Sequence, residues 1–454
     1  MIGLLVDISG LLWQLYENIL YTLEETMIQT EKFYTFLDNS TSPFYVVKNS
    51  SEILDKAGFK CLSFEEPWSL EKGGSYYINL YDSALFAFRV GKSVSEDMML
   101  RIAAAHTDFP SFRIKPDPEM REKGYIKLNT ESYGGMILSS WFDRPLSISG
   151  KVSLKSQELF KPKEVLIDIK KPLMVIPNLA IHLNREVNNG VEINKQKDVL
   201  PILGMADEDV HNYFKNHLAK HLDVSAEDIL DYDLFIYNLD KACTVGVSDE
   251  FICAPRLDDL SSVYALIQGI ISQVDDKDVH IICLFDNEEI GNRTKQGSAS
   301  LFITMLLEKI FQSLGKSRLE LYEVLHRSFI LSVDVAQAYH PNYVAKFDPT
   351  NRAELNKGIA FKIDTAQRYA YDTGAIAILQ QLCEEYKIPY QKFVNRSDAT
   401  AGGTMGPVIS TQLPARTVDI GVPLLAMHSA VETMGAKDLE SLIGLMEAFF
   451  TAER

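Results

Sequence analysis

The segment DVHIICLFDNEEIGNRTKQGS, residues 278–298, joins an apolar run to an acidic turn. The β-branched, uncharged residues from Val279 to Phe285 predict a buried strand. Two adjacent glutamates, Glu288 and Glu289, follow almost directly at the exit of this strand. A polar cluster after a strand is often only a solvated turn. The role of these two carboxylates therefore depends on which residues follow the other strands.

The composition predicts a folded chain of normal core size. Of 454 residues, 46% are hydrophobic and 24% are charged, which are ordinary values for a globular protein. The net charge of −17 argues against a nucleic acid or an anionic membrane as partner. Five cysteines without a CxxC pair are typical of reduced thiols, and we expect a cytoplasmic protein.

The first 26 residues form an N-terminal extension with a pattern of their own. Apolar residues recur at helical spacing from Leu5 to Ile19, but Asp7 and Glu17 interrupt them and no basic segment precedes them. This pattern predicts an amphipathic helix and fits neither a signal peptide nor a membrane span.

Beyond the extension, the chain contains strand-like and helix-like segments, and the pattern of these segments changes twice. Residues 27–110 and 240–454 alternate in the manner of an α/β sheet that helices cover on both faces. Residues 111–239 are instead rich in short strands separated by turns, with one helical stretch from Asp207 to His221. We therefore expect a discontinuous catalytic domain with a mixed sheet and an inserted β-rich domain.

Five strand-like segments end in a histidine or a carboxylate. In an open α/β sheet the ends of the strands converge on one edge, where ligands bind, so these five exits predict a single pocket. The residues at these exits are His106 with Asp108, Asp258 with Asp259, Glu288 with Glu289, Asp334, and His428.

Two imidazoles with several carboxylates suit zinc, manganese or cobalt. More carboxylates than one ion requires indicate two metal ions bridged by a carboxylate, and such pairs catalyse hydrolysis. Simpler interpretations stay open for single residues. Asp258 or Asp259 would also cap the helix that begins at LSSVYALI. His182, in an apolar context, is typical of a core histidine, and Lys362 with Arg368 of a solvated edge.

These motifs resemble those of the aspartyl aminopeptidases, a family of dinuclear zinc exopeptidases. The resemblance extends from about Gln29 to the C-terminus. It rests on FLDNSTSPFYVV, AAHTDFPSFRIKP, IPNLAIHLNRE, APRLDDL, DNEEIG, DVAQAYHPNY, QRYA and GVPLLAMHS, which occur in the order and at the spacing of the family. It implies a zinc-exopeptidase-like α/β catalytic domain and two zinc ions per subunit, with cobalt or manganese as alternatives. It also implies a homododecamer built from dimers, and peptide substrates that lose an N-terminal residue, Asp or Glu among them.

The resemblance also implies a role for individual residues. Glu288 is the general base, Asp108 orients His106, and Asp258 bridges the two ions. His182 contacts the substrate or oxyanion in a neighbouring subunit, and His340 and Lys362 are further substrate or oxyanion contacts. The implied metal ligands are His106, Asp258, Glu289, Asp334 and His428.

The chain departs from the family pattern at two positions that bear on function. Met27 lies where family members begin, which makes it a candidate for the natural start. Asp364 occupies a position that is usually Asn, where it would neutralise Lys362 and weaken a preference for acidic residues. The residues alone leave two alternatives, a metallo-carboxypeptidase or deacylase and an inactive metal-binding assembly protein.

Overall fold

The computed structural model describes residues 28–207, 211–272, 274–399 and 402–453. Residues 28–39 are helical and are called α1. The other helices are α2 Pro43–Lys56, α3 Tyr213–Leu222, α4 Leu257–Ile271, α5 Phe302–Ser313, α6 Arg318–Arg327, α7 Thr373–Glu385, α8 Met405–Gln412 and α9 Ala436–Thr451. Among the described residues, none of the helices has the length and apolar character needed to cross a membrane.

In the part of the chain that the structure describes, twenty strands form three sheets. The strands are β1 Lys60–Cys61, β2 Ser75–Leu80, β3 Ala84–Val90, β4 Leu100–His106, β5 Ser111–Glu122, β6 Tyr125–Tyr133, β7 Leu146–Leu154, β8 Lys163–Asp168, β9 Ile202–Met205, β10 Ile229–Asn238, β11 Cys243–Val245, β12 Phe251–Ala254, β13 Val279–Phe285, β14 Phe329–Val333, β15 Ala336–Gln337, β16 Ile359–Ile363, β17 Tyr390–Val394, β18 Arg416–Gly421, β19 Pro423–Leu425 and β20 Glu432–Gly435.

The largest sheet is mixed and has nine strands in the order β1-β2-β3-β13-β4-β14-β18-β16-β17. Its centre is parallel, because β13, β4, β14 and β18 all run in one direction. Successive residues of a strand face opposite sides of the sheet. Ala103 of β4 therefore packs in one hydrophobic core with α4 and α9, while Ile102 packs in the other with α5 and α6. The predicted mixed sheet with helices on both faces is confirmed.

A second sheet of six strands, in the order β8-β7-β10-β5-β6-β9, is built entirely from strands between Ser111 and Asn238. Its pairings are antiparallel, and with α3 it encloses a core of its own. Within the described residues, the helix predicted from Asp207 to His221 begins at Tyr213 and ends at Leu222, and residues 208–210 of that prediction lie outside them. Independent folding of this region as a domain remains a prediction.

The third sheet has five strands in the order β11-β12-β20-β19-β15. It continues two strands of the nine-stranded sheet, since β14 leads through Asp334 into β15 and β18 leads through Val422 into β19. The bend brings Gly421 against the backbone of the neighbouring strand, where a Cβ would overlap the carbonyl oxygen of Asp334. Only glycine permits this approach.

The predicted strand Val279–Phe285 is confirmed, and α2 begins at Pro43, directly after its N-cap residue Ser42. The amphipathic helix predicted for residues 1–26 lies outside the described residues.

Candidate metal centre

Two groups of ligand-type side chains meet at one edge of the nine-stranded sheet. In each group the ligand atoms lie within 4.8 Å of one another. The first group contains His106, Asp258, Asp259 and Asp334, and the second contains Asp258, Glu289 and His428. All five residues that the resemblance implies as metal ligands are thus brought together by the fold.

These side chains come from two sheets rather than one, which corrects the expectation that all five exits share one sheet edge. His106 ends β4, Glu289 follows β13 and Asp334 follows β14, three adjacent parallel strands. Asp258 and His428 follow β12 and β19 of the five-stranded sheet. The bend after β14 and β18 places the five-stranded sheet against the edge of the nine-stranded sheet.

Asp258 is the residue that the two groups share. Its Oδ1 lies 3.4 Å from Nε2 of His106, and its Oδ2 lies 3.3 Å from Nε2 of His428. Burial would raise the pKa of Asp258, but the two histidines more than offset this and lower it. The carboxylate is therefore held ionised, with one oxygen directed to each group.

His106 is enclosed by protein. Its side chain is 1% exposed, and its Nδ1 lies 3.0 Å from the main-chain oxygen of Asp108. A histidine that donates from one ring nitrogen leaves the other free as a ligand. The carboxylate of Asp108 accepts the main-chain N–H groups of Glu288 and Glu289 at 3.0 and 3.1 Å and the hydroxyl of Tyr133 at 2.7 Å. Asp108 thus contacts the histidine through its main-chain oxygen and the acidic turn through its carboxylate. The carboxylate Oδ1 lies 3.5 Å from Nδ1 of His106, and its role in orienting the ring remains a prediction.

His428 is held mainly by backbone groups. Its Nδ1 lies 2.7 Å from the main-chain oxygen of Gly135, and its φ of +66° marks a left-handed turn. Its N–H donates to Oε1 of Glu432 at 2.7 Å, while the N–H of Asp258 donates to Oε2 of the same carboxylate at 3.0 Å. Burial raises the pKa of Glu432 to about 8. Glu432 was not selected from the sequence, although a glutamate four residues after a candidate ligand, in a strand-like segment, is a usable signal.

Asp334 carries a counterion of its own. The ammonium group of Lys362 lies 3.2 Å from its Oδ2, and both side chains are largely buried. Burial would raise the pKa of Asp334, but Lys362 lowers it. Lys362 is only 2% exposed, so its charge is paired with Asp334 and is not free to face a pocket.

Glu288 and Glu289 begin a single 3-10 turn, Glu288–Ile290, and their environments differ. Glu289 lies 3.4 Å from Nε2 of His428, within the second group. Burial raises the pKa of Glu288 to about 8, with His106 opposing the shift and the neighbouring carboxylates adding to it. A carboxylate with a pKa near neutrality is suited to accept and return a proton.

The donor set fits divalent cations. Among the described residues, four buried carboxylate oxygens accept no hydrogen bond, and three of them belong to the two groups, namely Oδ1 of Asp258, Oδ1 of Asp259 and Oε1 of Glu289. Buried carboxylates in such proximity repel one another unless a cation compensates them. Imidazole nitrogens with carboxylate oxygens form the ligand set that zinc accepts.

Asp259 also belongs to the first group, although the sequence did not assign it as a metal ligand. Its Oδ2 accepts the main-chain N–H of His106 at 3.1 Å, and burial raises its pKa well above the usual range. Asp258 and Asp259 have non-helical φ and ψ angles at the start of α4, with the regular helix following Asp259, so capping of this helix by one of them remains a prediction.

Three further candidates, His182, His340 and Asp364, belong to neither group. His182 is exposed in a turn of the inserted region, so its interpretation as a core histidine is wrong. The ring of His340 contacts Asn342 and Tyr343, and its role as a substrate or oxyanion contact remains a prediction. Asp364 pairs with Arg368 at 2.8 Å rather than with Lys362.

Comparisons with known proteins agree with this geometry. A family model described as aminopeptidase I zinc metalloprotease (M18) matches residues 36–450. A relative from Clostridium acetobutylicum, described as probable M18 family aminopeptidase 2, is 46% identical over 411 residues, which are 90% of this chain and 95% of the relative.

Solved structures share the fold over nearly the whole chain. A chain of the Ape4 and Nbr1 complex aligns with a TM-score of 0.88 and 31% identity, over 94% of this chain and 86% of that chain. The mApe1 dodecamer of S. cerevisiae aligns with a TM-score of 0.80 and 26% identity, over 94% of this chain and 97% of that chain.

Proposed function

Because the chain belongs to the aminopeptidase I zinc metalloprotease (M18) family and is a metal-dependent aminopeptidase, we propose that it works with two zinc ions per subunit, bridged by Asp258. The observation that carries this proposal is the position of the Asp258 carboxylate, whose two oxygens face two different histidines at 3.4 and 3.3 Å. His106, Asp334 and one oxygen of Asp258 would hold one ion. His428, Glu289 and the other oxygen would hold the second.

Zinc bound there polarises the scissile carbonyl and lowers the pKa of a water molecule. Glu288 takes a proton from this water at a carboxylate oxygen and delivers it to the nitrogen of the leaving peptide. Asp108 fixes the turn that presents Glu288, since it accepts the main-chain N–H groups of both glutamates. Lys362 and Glu432 are positioning residues, because each acts through its contact with a ligand residue.

The enzyme accepts neutral as well as acidic N-terminal residues under this proposal. Selection of an acidic side chain requires a cation that is free to face it. Lys362 is paired with Asp334, and Arg368 is paired with Asp364. Each charge is therefore already balanced by a carboxylate of the same chain.

Self-association completes the proposed enzyme. The exposed segment around His182 displays the apolar side chains of Leu179, Ile181 and Leu183, which are 57%, 50% and 75% exposed. Clustered apolar exposure is typical of a subunit contact. The mApe1 relative is described as a dodecamer, and we propose a dodecamer built from dimers here, with His182 reaching the substrate of a neighbouring subunit.

Substrate profiling with metal removal tests the proposal. Aminoacyl amides of Asp, Glu, Leu and Ala are assayed before chelation, after it, and after zinc is added back. We expect activity that chelation abolishes and zinc restores, with Leu and Ala hydrolysed within about tenfold of Asp and Glu, a difference of about 1.4 kcal/mol. Hydrolysis of N-acyl amino acids in preference to free-amine substrates would refute the exopeptidase assignment, and a preference for acidic residues beyond about a hundredfold would refute the broad specificity.

A further inference from the structure

Two of the five cysteines face each other across a strand pair. Cys243 begins β11 and Cys253 lies in β12, and the two residues are direct partners in the antiparallel register. Both are free thiols. Side chains of directly opposed residues in an antiparallel pair lie on the same face of the sheet. The two thiols are therefore neighbours in space.

The spacing of opposed strand residues suits a disulfide bond. Opposed residues of antiparallel strands have Cα atoms about 4.5 or 5.5 Å apart, depending on the type of pair. Disulfide bonds join Cα atoms about 4.4–6.8 Å apart, so either type of pair falls within the range. Burial and the neighbouring Cys253 thiol raise the pKa of Cys243, which is consistent with this proximity.

One of the two thiols is accessible. Cys243 is exposed, and its strand β11 forms an edge of the five-stranded sheet. Cys253 is partly buried, and its Sγ lies 3.2 Å from Oγ1 of Thr433 on the other neighbouring strand. An exposed thiol beside a less accessible one is the arrangement of an attacking and a resolving cysteine.

We propose that Cys243 and Cys253 form a reversible disulfide in exchange with a low-molecular-weight disulfide. The thiolate of Cys243 attacks one sulfur of the reagent, which forms a mixed disulfide and releases one small thiolate. The thiolate of Cys253 then attacks the sulfur of Cys243 and releases the second. One protein S–S bond replaces one reagent S–S bond, the two protein thiols are oxidised, and their protons pass to the two released thiolates.

The bond would tie the edge strand to the strand that leads into the metal centre. β12 ends at Ala254, and the chain reaches Asp258 four residues later. The bond would close a ring around residues 244–252, the segment through which the chain enters β12. These two cysteines therefore differ from the inert packed thiols that the sequence predicts.

Peptide mapping of the full-length protein tests the proposal directly. Trypsin cleaves after Lys241 and Arg256, so both cysteines fall in one peptide, ACTVGVSDEFICAPR. After treatment with oxidised glutathione and alkylation, we expect this peptide to lose about 2 Da and to take up no alkyl group. Dithiothreitol should restore two alkylated cysteines. Two alkylated cysteines or a persistent glutathione adduct after oxidation would overturn the proposal.

Matched cysteines provide the controls. Cys61 is also exposed, but its register partner is Tyr77, so it should form only a mixed disulfide with glutathione. In Cys253→Ser, Cys243 should likewise stop at the mixed disulfide. Two results would contradict the specific pairing. One is that Cys243 exchanges its glutathione adduct for a disulfide with another protein thiol in Cys253→Ser. The other is that Cys61 also forms a protein disulfide.

Discussion

The two halves of the metal centre are built differently. His106 is 1% exposed at the end of a central strand, with Asp334 and its counterion Lys362 beside it. His428 is 29% exposed in a left-handed turn, and backbone groups and Glu432 hold it. Rigid, enclosed ligands exchange metal less readily than ligands on turns. The carboxylate of Asp258 joins the two halves. The deep half belongs to the main sheet, whereas the shallow half combines Glu289 of the main sheet with His428 of the smaller one.

The largest expected effect is a loss of turnover that leaves both halves of the metal centre intact. Glu288→Gln removes the carboxylate that accepts the proton from water, so kcat should fall about 10²- to 10⁴-fold. The ligand residues are unchanged, so zinc content per subunit should equal that of the parent protein. Turnover with aminoacyl amides and elemental analysis of the same samples check this.

Glu289→Gln is the matched control for this pair of adjacent glutamates. It changes a residue of the shallow half, 3.4 Å from His428, and should lose zinc together with activity. Full turnover in Glu288→Gln, or zinc loss equal to that of Glu289→Gln, would contradict the division of roles.

Replacing the two histidines separately should distinguish the halves themselves. His428→Ala should lose one zinc per subunit and keep its thermal stability, since the ring is partly exposed. His106→Ala should also lower the free energy of unfolding, on the order of 3 kcal/mol, because it removes a buried partner of several carboxylates. Zinc content and thermal denaturation measure both effects, and equal Tm losses in the two variants would remove the distinction.

Glu432→Gln should weaken the shallow half without removing a ligand. An amide retains only one acceptor oxygen for the two N–H groups of Asp258 and His428. Loss of an outer hydrogen bond of this kind reduces metal affinity about 10- to 100-fold. Zinc competition with a chelator checks the shift, and exposed Glu354→Gln serves as the control. Unchanged affinity in Glu432→Gln would make this carboxylate purely structural.

A further effect, on acid stability, concerns a histidine that lies away from both halves. Burial lowers the pKa of His280 to about 4, from 6.5. Its Nε2 lies 2.8 Å from the main-chain oxygen of Asp275, and its Nδ1 has no hydrogen-bond partner. Because the ring packs against Phe450, protonation of Nδ1 would place a charge in apolar surroundings. A depressed histidine pKa stabilises the fold fully above pH 6.5, and this contribution is lost as the pH falls towards 4.

The loss amounts to at most about 3 kcal/mol for this histidine. Thermal unfolding of the parent protein and of His280→Phe, compared between pH 7.5 and pH 5, measures it. We expect Tm to fall less in His280→Phe, because phenylalanine has no proton to gain. An equal fall in both proteins would assign the acid sensitivity to other groups.

The sequence predicted the ligand residues that follow the main sheet better than those that follow the smaller one. His106, Glu289 and Asp334 follow central strands, and apolar strands ending in ligand-type residues are visible in a sequence. Asp258 and His428 were also selected, but the short strands before them belong to a second sheet, which forms only because two strands bend at Asp334 and Gly421. Such a bend depends on backbone contacts between distant segments.

The supporting residues were the least predictable part. The main-chain oxygen of Gly135 contacts His428, and a backbone group leaves no trace in side-chain chemistry. Glu432 was missed because one carboxylate among many has no distinguishing pattern until its partners are known, and Asp259 was selected only together with Asp258, as a strand-exit residue or a helix cap. Lys362 was selected for its charge, yet its burial against Asp334 depends on how the central strands pack.

Zinc titration of metal-free protein tests the two-half account most directly. Isothermal titration calorimetry or equilibrium dialysis should give two zinc ions per subunit with unequal affinities. His428→Ala should remove the weaker of the two binding events and leave the tighter one. A single ion per subunit, or two ions of equal affinity that are both lost in His428→Ala, would contradict the account.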